Sequence, residues 1–171
     1  GTRSRKGRRL TQRAREAGTR ERSGPAMLAR VPVCRRVTPE DRARIAAAAV
    51  VRQYDRGDFI CSEGDDPDLF VTVLTGRVKV FKQTPAGKDM ILDLFGPGDP
   101  LGAMAVYEGR SYPATAAAME PTSCLLIERK AFFQLLEQYP SLVRGLLTSL
   151  TVRIFELTNR LSDLTGGHVD A

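Results

Sequence analysis

The sequence predicts a mainly β protein with flanking helices, its strands closed into an antiparallel roll or jelly roll, and three observations carry that prediction. Turn signals recur about every ten residues through the middle of the chain, at Arg56-Gly57-Asp58, Glu63-Gly64-Asp65-Asp66-Pro67, Thr75-Gly76, Pro85-Ala86-Gly87-Lys88 and Gly96-Pro97-Gly98-Asp99, a spacing suited to short antiparallel strands. Six runs of strand character lie between and after them. Helical signals are confined to either side of this stretch.

The elements follow in order. Thr38-Pro39-Glu40-Asp41 supplies an N-cap, a proline at the first helical position and acids in the first turn, so a helix is expected over 39–50, with an alanine-rich body around Ile45. Strands are expected at 58–62, 69–74, 77–82, 90–95, 115–119 and 124–128. Arg77-Val78-Lys79-Val80-Phe81-Lys82 alternates polar and apolar side chains, the period of a strand with one wet face. Six such runs, with one or two more hidden by weaker patterning, imply a closed roll.

Between the fourth and fifth strands lies the run from Gly96 to Ala116, G-P-G-D-P-L-G-A-M-A-V-Y-E-G-R-S-Y-P-A-T-A. Its glycines and prolines are too frequent for a long helix or a regular strand, so it is a shaped loop holding about one helical turn. Gly102, ahead of Ala103, Met104 and Ala105, is placed to let backbone N–H groups converge on an anion at the start of that turn.

Past the roll, 129–137 reads as a short helix that stops before Tyr139-Pro140, and a long helix runs from Pro140 to about Leu164, stopped by Gly166-Gly167. Along it Val143, Leu147, Leu150, Ile154, Leu157, Leu161 and Leu164 are separated by 4, 3, 4, 3, 4 and 3 residues. That is the heptad seam of a two-stranded coiled coil, and it predicts a homodimer. Leu142, Leu146 and Phe155 lie off the seam and are expected to pack back on the roll.

Composition narrows the function. The 171 residues suit one domain with extensions, and no run approaches the roughly 18 apolar residues of a membrane span, so the expected address is the cytoplasm, with no membrane partner. The three cysteines, Cys34, Cys61 and Cys124, are scattered, and the single histidine is His168, so neither a metal centre nor the clustered His and carboxylate ligands of a barrel enzyme is expected. Cys61 and Cys124 sit in apolar runs and read as small core residues. The net charge of +6 is concentrated at one end: residues 1–24 hold nine of the 26 basic side chains and two of the 20 acidic ones, leaving the remainder close to neutral. With one large apolar residue, Leu10, and no aromatic ring, residues 1–26 are expected to form a disordered basic tail, and Met27 would serve as a natural start.

The order of a helix, a β-roll with a glycine-punctuated loop between late strands, a short helix and a long dimerising helix resembles the cyclic-nucleotide-binding sensor domain of the Crp/Fnr family of bacterial transcription regulators. The similarity covers about 38–164 and rests on Glu63-Gly64-Asp65 before a strand, Leu74-Thr75-Gly76-Arg77-Val78-Lys79-Val80, Phe95-Gly96-Pro97-Gly98-Asp99 and Ala114-Thr115-Ala116. The resemblance implies an eight-stranded roll with its N-terminal helix over 27–138, a dimerisation helix over 139–165, and a hinge at 166–171 toward a C-terminal helix-turn-helix absent from this sequence. DNA would then be a partner through that missing domain. The loop becomes a phosphate-binding cassette, with Leu101, Gly102, Ala103, Met104, Ala105, Arg110, Tyr112, Pro113, Ala114 and Thr115 as the implied ligand-binding positions. Thr158 and Asn159 on the long helix would receive the signal, and Leu147, Leu150, Ile154, Leu157, Leu161 and Leu164 would form the dimer interface.

The cassette departs from the pattern of cyclic AMP binders at two positions. Where those carry a glutamate for the ribose hydroxyl and an arginine for the cyclic phosphate, this chain has Ala103 and Tyr112. Each lost charge-assisted hydrogen bond costs about 1.5–3 kcal/mol, so the pair would weaken binding by about two to four orders of magnitude. Arg110, two residues earlier, is the one nearby substitute. Cyclic AMP or cyclic GMP is therefore disfavoured as ligand, and a different small-molecule effector, or none, is expected. The alternative is a regulatory module of a kinase or channel that still binds cyclic nucleotides; the heptad seam argues against it.

Overall fold

The computed structural model describes residues 20–22, 28, 31, 34, 35 and 37–164. In chain order these form β1 (Arg20–Arg22), α1 (Pro39–Ala48), β2 (Ala49–Tyr54), β3 (Phe59–Cys61), β4 (Leu69–Thr75), β5 (Val78–Gln83), β6 (Asp89–Phe95), β7 (Pro100–Leu101), α2 (Ala103–Glu108), β8 (Thr115–Ala118), β9 (Thr122–Glu128), α3 (Arg129–Gln138) and α4 (Pro140–Leu164). Two antiparallel sheets face each other, one ordered β1-β2-β9-β4-β7 and the other β3-β8-β5-β6. Without the short β1 the roll has eight strands. The mainly β fold with flanking helices and a long final helix is as the sequence predicts.

Two boundaries differ from expectation. The first helix starts at its Thr38 cap, whose hydroxyl accepts from the Asp41 amide at 3.3 Å, but it ends at Ala48 and not at residue 50. Ala49 is already extended, and Ala49–Tyr54 pairs residue for residue with β9 from Ile127 back to Thr122. Helix and strand abut with no turn residue between them, which is why the strand is silent in the sequence: the alanine run flows straight into Val50-Val51, and β-branched side chains take whichever backbone the neighbouring sheet offers. The other difference lies in the basic segment, where Arg20–Arg22 is not tail but a short strand paired antiparallel to β2. β2 would otherwise be a sheet edge with unpaired backbone groups, and main-chain hydrogen bonds need no apolar side chains. The two-residue β7, paired to Val71 and Thr72, is a third strand not read in the sequence, missed for its brevity.

The core is divided by the five-stranded sheet. One cluster joins it to the helices through Ile45, Val51, Phe70, Leu125, Ile127, Phe132 and Leu142, with Phe70 and Phe132 stacked at 4.0 Å and 5°. Such a pair adds about 0.5–1.5 kcal/mol beyond the area that it buries. The second cluster lies between the sheets, with Tyr54, Val71, Val73 and Leu126 from one and Val78, Ala116 and Ala118 from the other. Cys124 is fully buried in it and Cys61 packs against it, and burial pushes both thiols up to about 12.

The long helix behaves as two halves. Its first half docks: Leu142 is buried and Leu146 packs against the helical cluster. The second half projects, since beyond Arg153 only Leu157 is even half-buried. Phe155, expected to pack on the roll, is instead 66% exposed, because it sits about 200° around the helix from the roll-facing Arg153. Leu147, Ile154, Leu161 and Leu164 of the seam are exposed as well. No helix among the described residues is long and apolar enough to cross a membrane.

Candidate functional site

The cassette is built from backbone. Gly102 stands at φ 61° and ψ 25°, a left-handed conformation that only glycine adopts without strain, and it caps α2 with no side chain of its own. Its carbonyl accepts the Val106 amide at 3.0 Å. The six-residue helix ends at Gly109, again left-handed, and is held from outside by Arg129, whose Nε donates to the Val106 carbonyl at 2.7 Å. Arg129 also lies over the ring of Phe133, one turn on in α3, at 5.0 Å, so the side chain that ties α3 to α2 is itself packed.

Opposite Gly102 stands Tyr112. It is only 6% exposed, and its ring carbons Cε1 and Cδ1 lie 2.7 and 3.1 Å from where a Cβ on Gly102 would stand. Three hydrogen bonds fix it: the hydroxyl donates to the Leu69 carbonyl at 3.0 Å, the amide to the Asp65 carbonyl at 3.0 Å, and the carbonyl accepts from Gly64 at 2.9 Å. The next polar group along, the Thr115 hydroxyl, accepts the Glu63 amide at 3.1 Å. The cassette thus closes on the Glu63-Gly64-Asp65 turn through its own hydrogen bonds, and the aromatic ring covers the glycine at its centre.

The other predicted positions separate into two groups. Leu101, Ala105 and Ala114 are buried, and Ala103 is half-buried. Met104 and Pro113 face solvent. Arg110 does too: its side chain is 80% exposed and pairs at 3.3 Å with Glu108, so it does not stand in for the missing arginine. On α4, Thr158 and Asn159 are exposed along the projecting half, and Thr158 spends its hydroxyl on the Ile154 carbonyl at 2.9 Å.

One group went unread in the sequence. Arg153, buried on α4, makes ion pairs with Asp93 at 2.7 Å and Asp99 at 3.2 Å, donates to the Leu94 carbonyl at 2.6 Å and lies 4.3 Å over the Phe95 ring. The available signal was an arginine continuing the roll-facing stripe of Leu142, Leu146 and Ser149.

Among known proteins, the family described as cyclic nucleotide-binding domain matches residues 51–139. A CRP-like cAMP-activated global transcriptional regulator of Mycobacterium tuberculosis is 24% identical over 138 residues, 81% of this chain and 62% of that protein. The cyclic AMP receptor protein of Thermus thermophilus is 30% identical over 105 residues, 61% of this chain and 49% of that protein. This chain therefore spans less than two thirds of the length of these curated relatives. A solved cyclic nucleotide-binding domain from Methylobacillus flagellatus, 24% identical, superimposes with a TM-score of 0.71 over 84% of this chain and 86% of that one. With the roll, the glycine-capped cassette and the long final helix in place, this match over more than half of the sequence makes the chain a member of the cyclic nucleotide-binding domain family, with its homology to CRP-like regulators.

Proposed function

We propose that the chain is the effector-sensing and dimerisation part of a Crp/Fnr-type DNA-binding transcription regulator, acting in the cytoplasm and not as an enzyme, and that its cassette does not take cyclic AMP in the usual way. The observation that carries the second half is the Tyr112 ring against Gly102. A cyclic phosphate needs the backbone cradle at the start of α2 and a cation facing it. Here the ring lies over that glycine, the nearest arginine on the loop is turned to solvent, and Ala103 offers no acceptor to a ribose. The Mycobacterium tuberculosis relative, a global transcriptional regulator, supports the regulatory reading.

Calorimetric titration with cyclic AMP and cyclic GMP tests the ligand claim. No saturable heat is expected at micromolar nucleotide, while the Ala103→Glu/Tyr112→Arg double variant should gain binding by about two to four orders of magnitude. Micromolar binding by the unaltered chain would sink the proposal.

The dimer reading rests on the seam of α4, where the apolar side chains at 147, 154, 161 and 164 are all more than half exposed. Leu157→Asp puts a charge in the middle of that seam, so sedimentation should show a monomer. An unchanged dimer would place the interface elsewhere.

A further inference from the structure

Arg153 is the last buried side chain by which α4 touches the roll; beyond it the exposed Arg160 still reaches Asp93. Before it the roll-facing stripe is apolar or small, with Leu142, Gly145 and Ser149; after it, residues 154–164 run on for about 16 Å with no buried side chain. All of its contacts fall on one short segment, the end of β6 and the turn into β7: the carboxylates of Asp93 and Asp99, the Leu94 carbonyl and the face of Phe95. The two carboxylates are held differently. Asp99 is anchored to the roll, because its carbonyl accepts the Val73 amide at 3.1 Å, the adjacent Gly98 amide donates to Val73 at 2.7 Å, and its side chain accepts the Gly96 amide at 2.9 Å. Asp93 belongs to the β5–β6 hairpin, whose outer strand carries the exposed Met90, Ile91 and Leu92 and is the edge of its sheet among the described residues. Arg160, one helical turn pair further on, also reaches Asp93 at 3.7 Å.

We propose that Asp93, Arg153 and Asp99 form a lock that sets the angle at which the projecting half of α4 leaves the roll, joining the helix to the anchored turn through Asp99 and to the free hairpin through Asp93. Asp99 is three residues before Gly102, so a rearrangement of the cassette reaches α4 through this arginine, and so does a displacement of the hairpin. The device does not depend on what the cassette binds: with Tyr112 in place, it holds the helix in one orientation without a ligand. A planar guanidinium can bridge two carboxylates and stack on a ring at once, which a lysine ammonium cannot.

Spin labels at two exposed positions, introduced as Arg56→Cys in a roll turn and Asn159→Cys on the projecting helix, read the angle directly when labelled chains are diluted with unlabelled ones. A single narrow distance is expected. Arg153→Ala should broaden or shift it and raise amide exchange in 154–164 by about tenfold or more, with β4 and β9 unaltered, and Arg153→Lys should fall between. Asp93→Asn, which leaves Asp99 and Phe95 in contact with the arginine, gives a milder version should the alanine variant fail to fold. An unchanged distance in the substituted chains overturns the proposal. So does faster exchange spread evenly over the roll, since the arginine would then only stabilise the fold.

Discussion

The cassette and the Arg153 cluster lie three residues apart along the chain yet are built on opposite principles. Gly102 and Tyr112 are held by main-chain hydrogen bonds, a hydroxyl and an aromatic face, and the one arginine of the loop points away. Around Arg153 three ionised side chains converge, with the guanidinium side chain only 9% exposed. In the loop over 101–115 the charged Glu108 and Arg110 pair with each other at the surface, while a buried charge cluster ties the neighbouring turn to the helix. A binding loop without its charged side chains can remain a rigid part of a scaffold, because backbone geometry and packing hold it; what is lost is discrimination, which lives in side chains.

That contrast can be broken most forcefully at Gly102. Gly102→Ala adds a methyl 2.7 Å from the Tyr112 ring at a residue with φ 61°, so overpacking and left-handed strain together should cost about 3 kcal/mol in denaturant unfolding. Combining it with Tyr112→Ala should make the added methyl markedly cheaper; purely additive losses would show that the ring is not what fills the cradle. A smaller effect is expected from Tyr112→Phe, which keeps the ring and removes the bond to the Leu69 carbonyl, at about 1 kcal/mol by the same measurement. It should not create nucleotide binding, since the ring still covers Gly102. The smallest belongs to Arg110→Ala, whose exposed pair with Glu108 contributes little: unfolding should shift by less than about 0.5 kcal/mol and ligand behaviour not at all. A large loss there would mean that this arginine turns inward in solution.

Much of the architecture is legible in the chain. Turn spacing announced six of the strands and the Thr38 cap the start of α1; the proline before Ser141 announced the start of α4, and its heptad period announced a seam whose side chains at 147, 154, 161 and 164 are exposed. β2 and β1 were illegible because their pairing is a property of the neighbouring sheet edge and not of their own side chains. The cassette was legible as a loop and its two substitutions as departures, but not the consequence that the replacement tyrosine turns inward.

By itself the sequence determined six of the strands and the helices on either side of them, the absence of an acid at 103 and of a cation at 112, and the apolar seam of α4, since each is set by local residue type and spacing. Only the tertiary structure decided that the Tyr112 ring lies on Gly102, that Arg110 faces water, and that Arg153 meets Asp93 and Asp99. Those contacts join residues 10, 54 and 60 positions apart, and whether such groups meet depends on how the roll closes and where the helix leaves it, which no local pattern encodes.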